Sequence, residues 1–188
     1  SILAEHSPNY ESGAKLTYDT DNGKWLLSGL LLNGWQHIQR PEGNNSAAFG
    51  TQITFTPNSK VTLNYSTFIG NDKPDEVKQM RYFQNLYGII HLSDQFHITA
   101  GFDYGMEQNA PESDEFNNWY SPVLILKYDF NDTWSVAGRF ENYTDENGVI
   151  IASGTEHGFN TTGYSLNLDC KLRANALWRI EGRMLSSE

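Results

Sequence analysis

The chain has 188 residues and is acidic, with a formal net charge of −10 and a sequence pI of about 4.9. Such a balance disfavours nucleic acid as a partner, because phosphate binding needs clustered Lys and Arg. Hydrophobic residues make up 38%, below the usual ~45–50% of globular domains, whereas aromatic residues reach 13%. This composition favours a structure with a small core and two polar boundaries, as in a transmembrane β-barrel with a polar interior and aromatic girdles.

Several other classes of protein lack their signals in this sequence. The longest apolar run, residues 26–32, is interrupted by Ser28 and Gly29 and is far shorter than the ~18 residues of a membrane-spanning helix. Residues 1–6 have neither the basic start nor the apolar core of a signal peptide. The single cysteine, Cys170, excludes an internal disulfide and falls on the predicted apolar face, where it is expected to contact lipid. No linker composition divides the chain, so we predict one domain over residues 1–188.

Hydrophobic alternation with a period of two residues recurs along the whole chain and predicts strands with one apolar and one polar face. The first strand is expected at residues 10–19. Around residue 50, Phe49 and Phe55 share one face while Gln52 and Thr54 share the other. The last strand is expected at residues 176–185. About ten strands are predicted, each near the ~9–11 residues that a tilted strand needs to cross a bilayer.

The predicted links between strands are short and long in strict alternation. Tight turns are expected at residues 21–23, 57–59, 93–94, 131–132 and 174–175. The first contains Asn22-Gly23, a pair that suits a type I′ hairpin because both positions need positive φ. Long polar links are expected at residues 38–46, 70–79, 107–117 and 144–158. Short turns at one end and long loops at the other are typical of outer-membrane barrels.

Aromatic residues cluster at both predicted strand ends, as the amphipathic rings of a membrane protein do at the headgroup zone. The alternative is ordinary cross-strand aromatic pairing in a soluble β-protein. At the turn end lie Tyr18, Trp25, Phe55, Phe96, Phe130, Trp134 and Trp178. At the loop end lie Trp35, Tyr82, Phe83, Trp119, Tyr120, Tyr143 and Phe159.

These patterns together predict an all-β fold, an antiparallel up-and-down transmembrane β-barrel. Topology adds one expectation about its size. The first strand enters a short turn and the last leaves one, so both chain ends would lie at the long-loop side. Termini of bacterial barrels lie at the other side. We therefore expect a fragment with a strand missing at each end, and a complete barrel of twelve strands or more.

Several segments resemble the OmpL-like family of β-barrel outer-membrane porins. They are residues 9–18 (NYESGAKLTY), 32–36 (LNGWQ), 68–72 (FIGND), 100–105 (AGFDYG) and 139–143 (RFENY). The resemblance spans most of the chain and implies an outer-membrane location and a channel role. It implies no catalytic residues, and the chain departs from the family in lacking the start and the closing strand of the barrel.

Charged and polar residues on the face opposite the apolar one are expected to line a lumen. A midplane Arg or Lys on the lipid face would cost about 2–4 kcal/mol. The alternative is an interior closed by salt bridges, as in small barrels. The candidate pore-lining residues are Lys15, Asn64, His97, Asp103, Lys127, Arg139, Glu141, Asp169, Lys171, Arg179, Glu181 and Arg183.

The long links carry a charge of −8, most of the net −10. Such a rim favours cations at a pore mouth, could hold divalent ions through Glu112, Asp114 and Glu115, or is simply a solvated surface. The histidines at positions 6, 37, 91, 97 and 157 show no pair at metal-ligand spacing on one face, and we predict no metal or cofactor.

The leading functional prediction is a porin-like channel for passive diffusion of small polar solutes or ions. Its partners are outer-membrane lipid, the solutes and, if it oligomerises, further copies of itself. One alternative is a scaffold or receptor that binds a partner through its acidic loops. Another is a soluble β-barrel that binds an apolar ligand. No sequence signature selects a nucleophile, so we predict no enzyme.

Overall fold

The computed structural model describes residues 1–8 and 10–187, except for the side chain of Glu5. One antiparallel sheet contains ten strands, and each strand pairs with the next along the chain. In the described residues, helix is limited to α1 (Ile2–His6) and a 3-10 turn at Asp75–Val77. Neither helix in the described part of the chain has the length and apolar character needed to cross a membrane. The prediction of an all-β, up-and-down antiparallel fold is confirmed.

The strands are 7 to 15 residues long, and the observed number matches the predicted ten. β1 and β10 do not pair with each other, so the sheet is open at these two edges. The strands are β1 (Gly13–Asp19), β2 (Trp25–Leu32), β3 (Ala48–Asn58), β4 (Val61–Asn71), β5 (Met80–His91), β6 (Phe96–Gln108), β7 (Phe116–Asp129), β8 (Trp134–Asp145), β9 (Phe159–Arg173) and β10 (Ala176–Ser187).

Four of the five tight turns are closed by short polar side chains that accept backbone hydrogen bonds, a local alternative to the strand ladder. Asn22 Oδ1 accepts from the Lys24 N–H at 3.0 Å, and Gly23 has φ +65°. Asn131 Oδ1 accepts from two N–H groups at 2.9 Å. Ser93 Oγ accepts from Phe96 N–H at 3.0 Å. These contacts explain why the turn positions were readable from sequence.

The long links are residues 33–47, 72–79, 109–115 and 146–158, and they alternate with the tight turns as predicted. Their bounds differ from the predicted ones. The first begins five residues earlier, because β2 ends at Leu32. The third is shorter, because Glu107 and Asn117 still pair across the ladder. The polar residues at the ends of the third link were predicted to be loop, although they lie in strands.

The sheet has one face that is apolar and exposed, which we call the apolar face. Its side chains alternate with those of the opposite, polar face. A continuous exposed surface of large hydrophobic side chains is unusual for a soluble monomer and agrees with the predicted lipid contact. Its exposed members include Leu16 (81%), Leu166 (63%), Phe49, Leu86, Ile180 and Met184. Cys170 also points to this face but is buried in register between Trp134 and Trp178, so its predicted exposure to lipid is wrong.

The prediction of an aromatic band at the loop end is wrong for five of its members. Trp35, Phe83, Trp119 and Tyr143 are buried and form one cluster on the polar side with Phe68, and the partly buried Phe159 packs against it. The reason is strand parity: adjacent residues point to opposite faces. Tyr120, next to Trp119, remains 37% exposed on the apolar face. At the turn end, Tyr18, Trp25, Phe130, Trp134 and Trp178 are exposed as predicted.

Candidate functional site: the polar face of the sheet

The polar face carries all twelve residues that were predicted from sequence to line a lumen, as the strand register places them. They do not form one cluster. Lys15 lies on β1 and Asn64 on β4, whereas the other ten lie on the last five strands. The charges of this face are therefore concentrated on β6 to β10.

Near the tight turns, charged residues of β7, β9 and β10 form ion pairs around two cavities. The Arg179 guanidinium binds Asp169 in a bidentate manner at 2.6 and 2.7 Å. Lys127 Nζ lies 2.7 Å from Asp129 Oδ1. The cavities have volumes of about 680 and 380 Å³ and share Lys127, Asp169 and Arg179 in their walls. Lys171 is exposed in the wall of the larger one. This end of the face holds water-accessible space lined by both signs of charge.

In the middle of the face, amide and carboxylate side chains form a row across β3 to β6. Gln52 Nε2 donates to Asn64 Oδ1 at 3.2 Å, and Asn64 Nδ2 approaches Asn85 Oδ1 at 3.5 Å. Asn85 Nδ2 donates to Asp103 Oδ1 at 2.6 Å. At the other end, Lys15 Nζ reaches Gln52 Oε1 at 2.9 Å. Buried polar groups cost little when they are paired in this way.

A second network on the middle of the face anchors helix α1. Glu141 on β8 is 1% exposed, and its Oε1 accepts from Arg183 at 3.1 Å. Its Oε2 accepts from the backbone N–H of Ile2 at 2.8 Å. Ser7, directly after the helix, donates to the other oxygen of Asp103. Arg139 bridges this network to Glu181 at 3.0 Å. The sequence pattern predicted these five charged residues to line a lumen, but it did not predict the helix that Glu141 and Asp103 hold.

The loop end of the polar face is filled by the aromatic cluster and by residues 33–47. Trp35 of this loop makes edge-to-face contacts with Phe68, Phe83 and Trp119, with ring centroids 4.9 to 5.9 Å apart. Such pairs contribute about 0.5–1.5 kcal/mol beyond burial. The indole of Trp119 packs against Gly105, where a Cβ would stand 2.0 Å from the ring. The glycine therefore makes room for the ring.

Arg81 on β5 ties this cluster to the loops through two buried carboxylates. Its guanidinium lies over the Trp35 ring, 5.4 Å from the centroid. Its nitrogens reach Asp72 at 2.8 Å and Glu107 at 2.6 Å. Asp72 Oδ1 also accepts from the backbone N–H of Trp35 at 2.9 Å. Arg81 was not predicted from the sequence, and Glu107 was predicted to be a loop charge, because their pairing depends on the β5–β6 register.

Glu11, just before β1, lies close to the carboxylate of Asp72. Burial and the charge of Asp72 raise the pKa of Glu11 from its ordinary 4.5 to about 7, and the nearby backbone N–H of Gln36 partly offsets this. Burial likewise raises the pKa of Asp72, opposed by the Arg81 guanidinium. Glu11 is therefore a titratable group beside the loop of residues 33–47.

This raised pKa predicts that acidification strengthens the packing of residues 33–47. The folded state holds a proton on Glu11 between about pH 4.5 and 7 that the unfolded chain releases, so stability falls as pH rises through that window. Hydrogen exchange of the loop amides, corrected for intrinsic rates, should show more protection at about pH 5 than at about pH 8. In Glu11→Gln, the same pH change should have a much smaller effect. An equal pH dependence in both proteins would contradict the assignment.

Comparison with models of protein families matches residues 1–188 to one family, described as "Putative beta-barrel porin-2, OmpL-like". No curated protein and no solved structure matches the chain. The match covers the whole sequence and agrees with the resemblance drawn from its motifs.

Proposed function

Because the chain belongs to the OmpL-like family of β-barrel porins, we propose that it forms an outer-membrane channel for the passive diffusion of small polar solutes or ions. The polar face would line the passage and the apolar face would contact lipid. The twelve charged and polar residues predicted from sequence are the proposed lining residues, with Asn85 and Asp129 added from their contacts on the same face.

The observation that carries this proposal is the segregation of side chains between the two faces. Most Arg and Lys on the polar face are ion-paired or line cavities, whereas the opposite face exposes Leu, Ile and aromatic rings. A soluble barrel that binds an apolar ligand requires the reverse arrangement, with its apolar face turned inward. A face with this many charged side chains favours contact with water.

The passage we propose is narrow at the loop end and wider near the tight turns. Helix α1 and residues 33–47 occupy the polar face at the loop end, and Gln36 Nε2 links them by donating to the Ser7 carbonyl at 2.6 Å. The cavities of about 680 and 380 Å³ lie at the other end, and a further cavity of about 390 Å³ remains at the loop end, lined by His6 and Gln36 among others. Solutes would meet the constriction first and the paired charges afterwards.

The open edges of β1 and β10 need hydrogen-bonding partners in lipid, where unpaired backbone groups cost several kcal/mol each. We propose that further strands supply them and close a barrel of twelve strands or more. A closed barrel of that size leaves more interior space than side chains fill.

Reversing the charge of Lys171 tests the proposed lining directly. Lys171→Glu should shift the permeability ratio of a reconstituted channel severalfold towards cations, because a wall carboxylate raises the local cation concentration. The measurement is the reversal potential under a salt gradient in planar lipid bilayers. Lys60→Glu, an equal reversal at an exposed residue outside the strands, is the matched control and should change selectivity much less. Absence of conductance, or equal shifts in both variants, would contradict the proposal.

A further inference from the structure

The hairpin of β5 and β6 brings two histidines into direct contact on the polar face. His91 and His97 are cross-strand partners, and directly opposite side chains share a face. Their Nδ1 atoms are 2.6 Å apart, with ring centroids at 4.7 Å and ring planes 77° apart. Sequence analysis did not foresee this pair. It lies beside the cavity of about 380 Å³, which has both rings in its wall.

A neighbouring carboxylate selects the tautomer of one ring. Asp129 Oδ2 lies 2.7 Å from His97 Nε2, so in neutral His97 the proton is on Nε2 and the lone pair is on Nδ1. That lone pair faces His91, which then donates from its own Nδ1. A carboxylate that holds the outer nitrogen of a histidine is the usual second-shell partner of a metal-binding imidazole.

We propose that His91 and His97 form a binding site for a divalent transition-metal ion of tetragonal preference, Cu(II) or Ni(II). The ion takes the place of the proton between the rings. The Nδ1 proton of His91 leaves to water, and His91 Nε2 takes up a proton in its place. His97 keeps its Nε2 proton on Asp129. No oxidation or reduction is involved, and water supplies the remaining ligands.

Ligand geometry favours these ions over Zn²⁺. With metal–nitrogen bonds of about 2.0–2.1 Å, two nitrogens at a right angle lie about 2.9 Å apart, and at the tetrahedral angle about 3.3 Å apart. The observed 2.6 Å needs the smaller adjustment to reach the first arrangement. Among the described residues, no group of three or more His, Cys, Asp or Glu is placed to hold a metal. The site therefore depends on the two rings alone.

The charges around the pair limit the affinity without excluding the ion. Lys127, Arg139 and Arg179 share the cavity wall with the carboxylate of Asp169. The carboxylate of Asp129 lies next to this wall, in contact with His97 and Lys127. Each carboxylate is ion-paired with a cation, Asp129 with Lys127 and Asp169 with Arg179, which leaves Arg139. Its charge is met by Glu141 at 3.4 Å and Glu181 at 3.0 Å. The local charge is thus close to balanced.

The test is a titration of the detergent-solubilised protein with Cu(II) alone in a non-coordinating buffer. Electron paramagnetic resonance at one equivalent should show hyperfine coupling to two imidazole nitrogens. His91→Ala and His97→Ala should each remove that two-nitrogen signature. Asp129→Ala should weaken binding about 10–100-fold, as second-shell losses do. His157→Ala, at an exposed loop histidine, is the control and should leave the spectrum unchanged.

Two results would overturn the site. One is a spectrum at one equivalent that lacks two imidazole nitrogens. The other is unchanged binding in His91→Ala and His97→Ala, since the rings are the whole of the protein's ligand set. Both readouts are independent of channel conductance, so they test the metal site separately from the proposed function.

Discussion

Replacing Arg81 with Ala is expected to destabilise the protein by about 3–5 kcal/mol, the usual cost of removing one partner from a buried ion pair. The Arg81 side chain is 10% exposed, and its partners Asp72 and Glu107 are exposed by 7% and 8%. Without the guanidinium, two carboxylates remain buried with less compensation. Lys73, 3.1 Å from Glu107, can offset only part of this.

Equilibrium unfolding in urea, followed by tryptophan fluorescence, measures the change for Arg81→Ala. Arg81→Lys should fall between the parent and Arg81→Ala, because it keeps the charge but loses the planar fork that binds two carboxylates and stacks on Trp35. Lys78→Ala, at an exposed loop cation, should change stability by less than about 0.5 kcal/mol. A loss below about 1 kcal/mol for Arg81→Ala would mean that this network contributes little.

Charging the buried side of helix α1 is expected to release it and to increase channel conductance. Ile2 is 5% exposed within the aromatic and aliphatic cluster, and its N–H donates to Glu141. Ile2→Asp places a carboxylate beside that carboxylate, at a cost of several kcal/mol. Since 1.4 kcal/mol is about a factor of ten in population, the docked helix should become the minor state.

Single-channel conductance of Ile2→Asp should exceed that of the parent severalfold. The matched control is Ala4→Asp, which adds the same charge to the exposed side of the same helix. It should leave conductance near the parent value. Equal conductance in parent, Ile2→Asp and Ala4→Asp would show that α1 does not restrict the passage.

The strands and turns were predictable because each depends on local chemistry. Apolar and polar residues alternate along most of β3 and β9. Asn22, Ser93 and Asn131 close their turns through hydrogen bonds to nearby residues. The lining residues followed from the same alternation. Strands, turns and lining residues each depend on residues a few positions apart in the sequence, so they could be predicted without knowledge of tertiary contacts.

Features that depend on register or on distant contacts were not predicted. Helix α1 has five residues, too few for a periodic signal, and is held by Glu141 and Asp103 far along the chain. Some of the aromatic side chains on the polar side could have been predicted from the sequence. In Tyr82-Phe83 and Trp119-Tyr120, one ring of each pair must point to the polar face, because neighbours in a strand alternate.

The histidine pair could not be read from the predicted turn. A two-residue turn at 93–94 would set residue 91 opposite 96, whereas the observed hairpin is centred on Asp94 and sets His91 opposite His97. Arg81 and Glu107 pair in the same register. An error of one residue in the register is therefore enough to hide both contacts.

The central claim is that the polar face lines an aqueous passage through a membrane. The direct test compares single cysteines at Thr99, in the wall of the smaller cavity, and at Ala100, exposed on the apolar face, each in a Cys170→Ala background. A charged, membrane-impermeant methanethiosulfonate is added during bilayer recording. We expect a stepwise fall in current for Thr99→Cys and none for Ala100→Cys. Equal effects at the two positions, or a protein that carries no current, would contradict it.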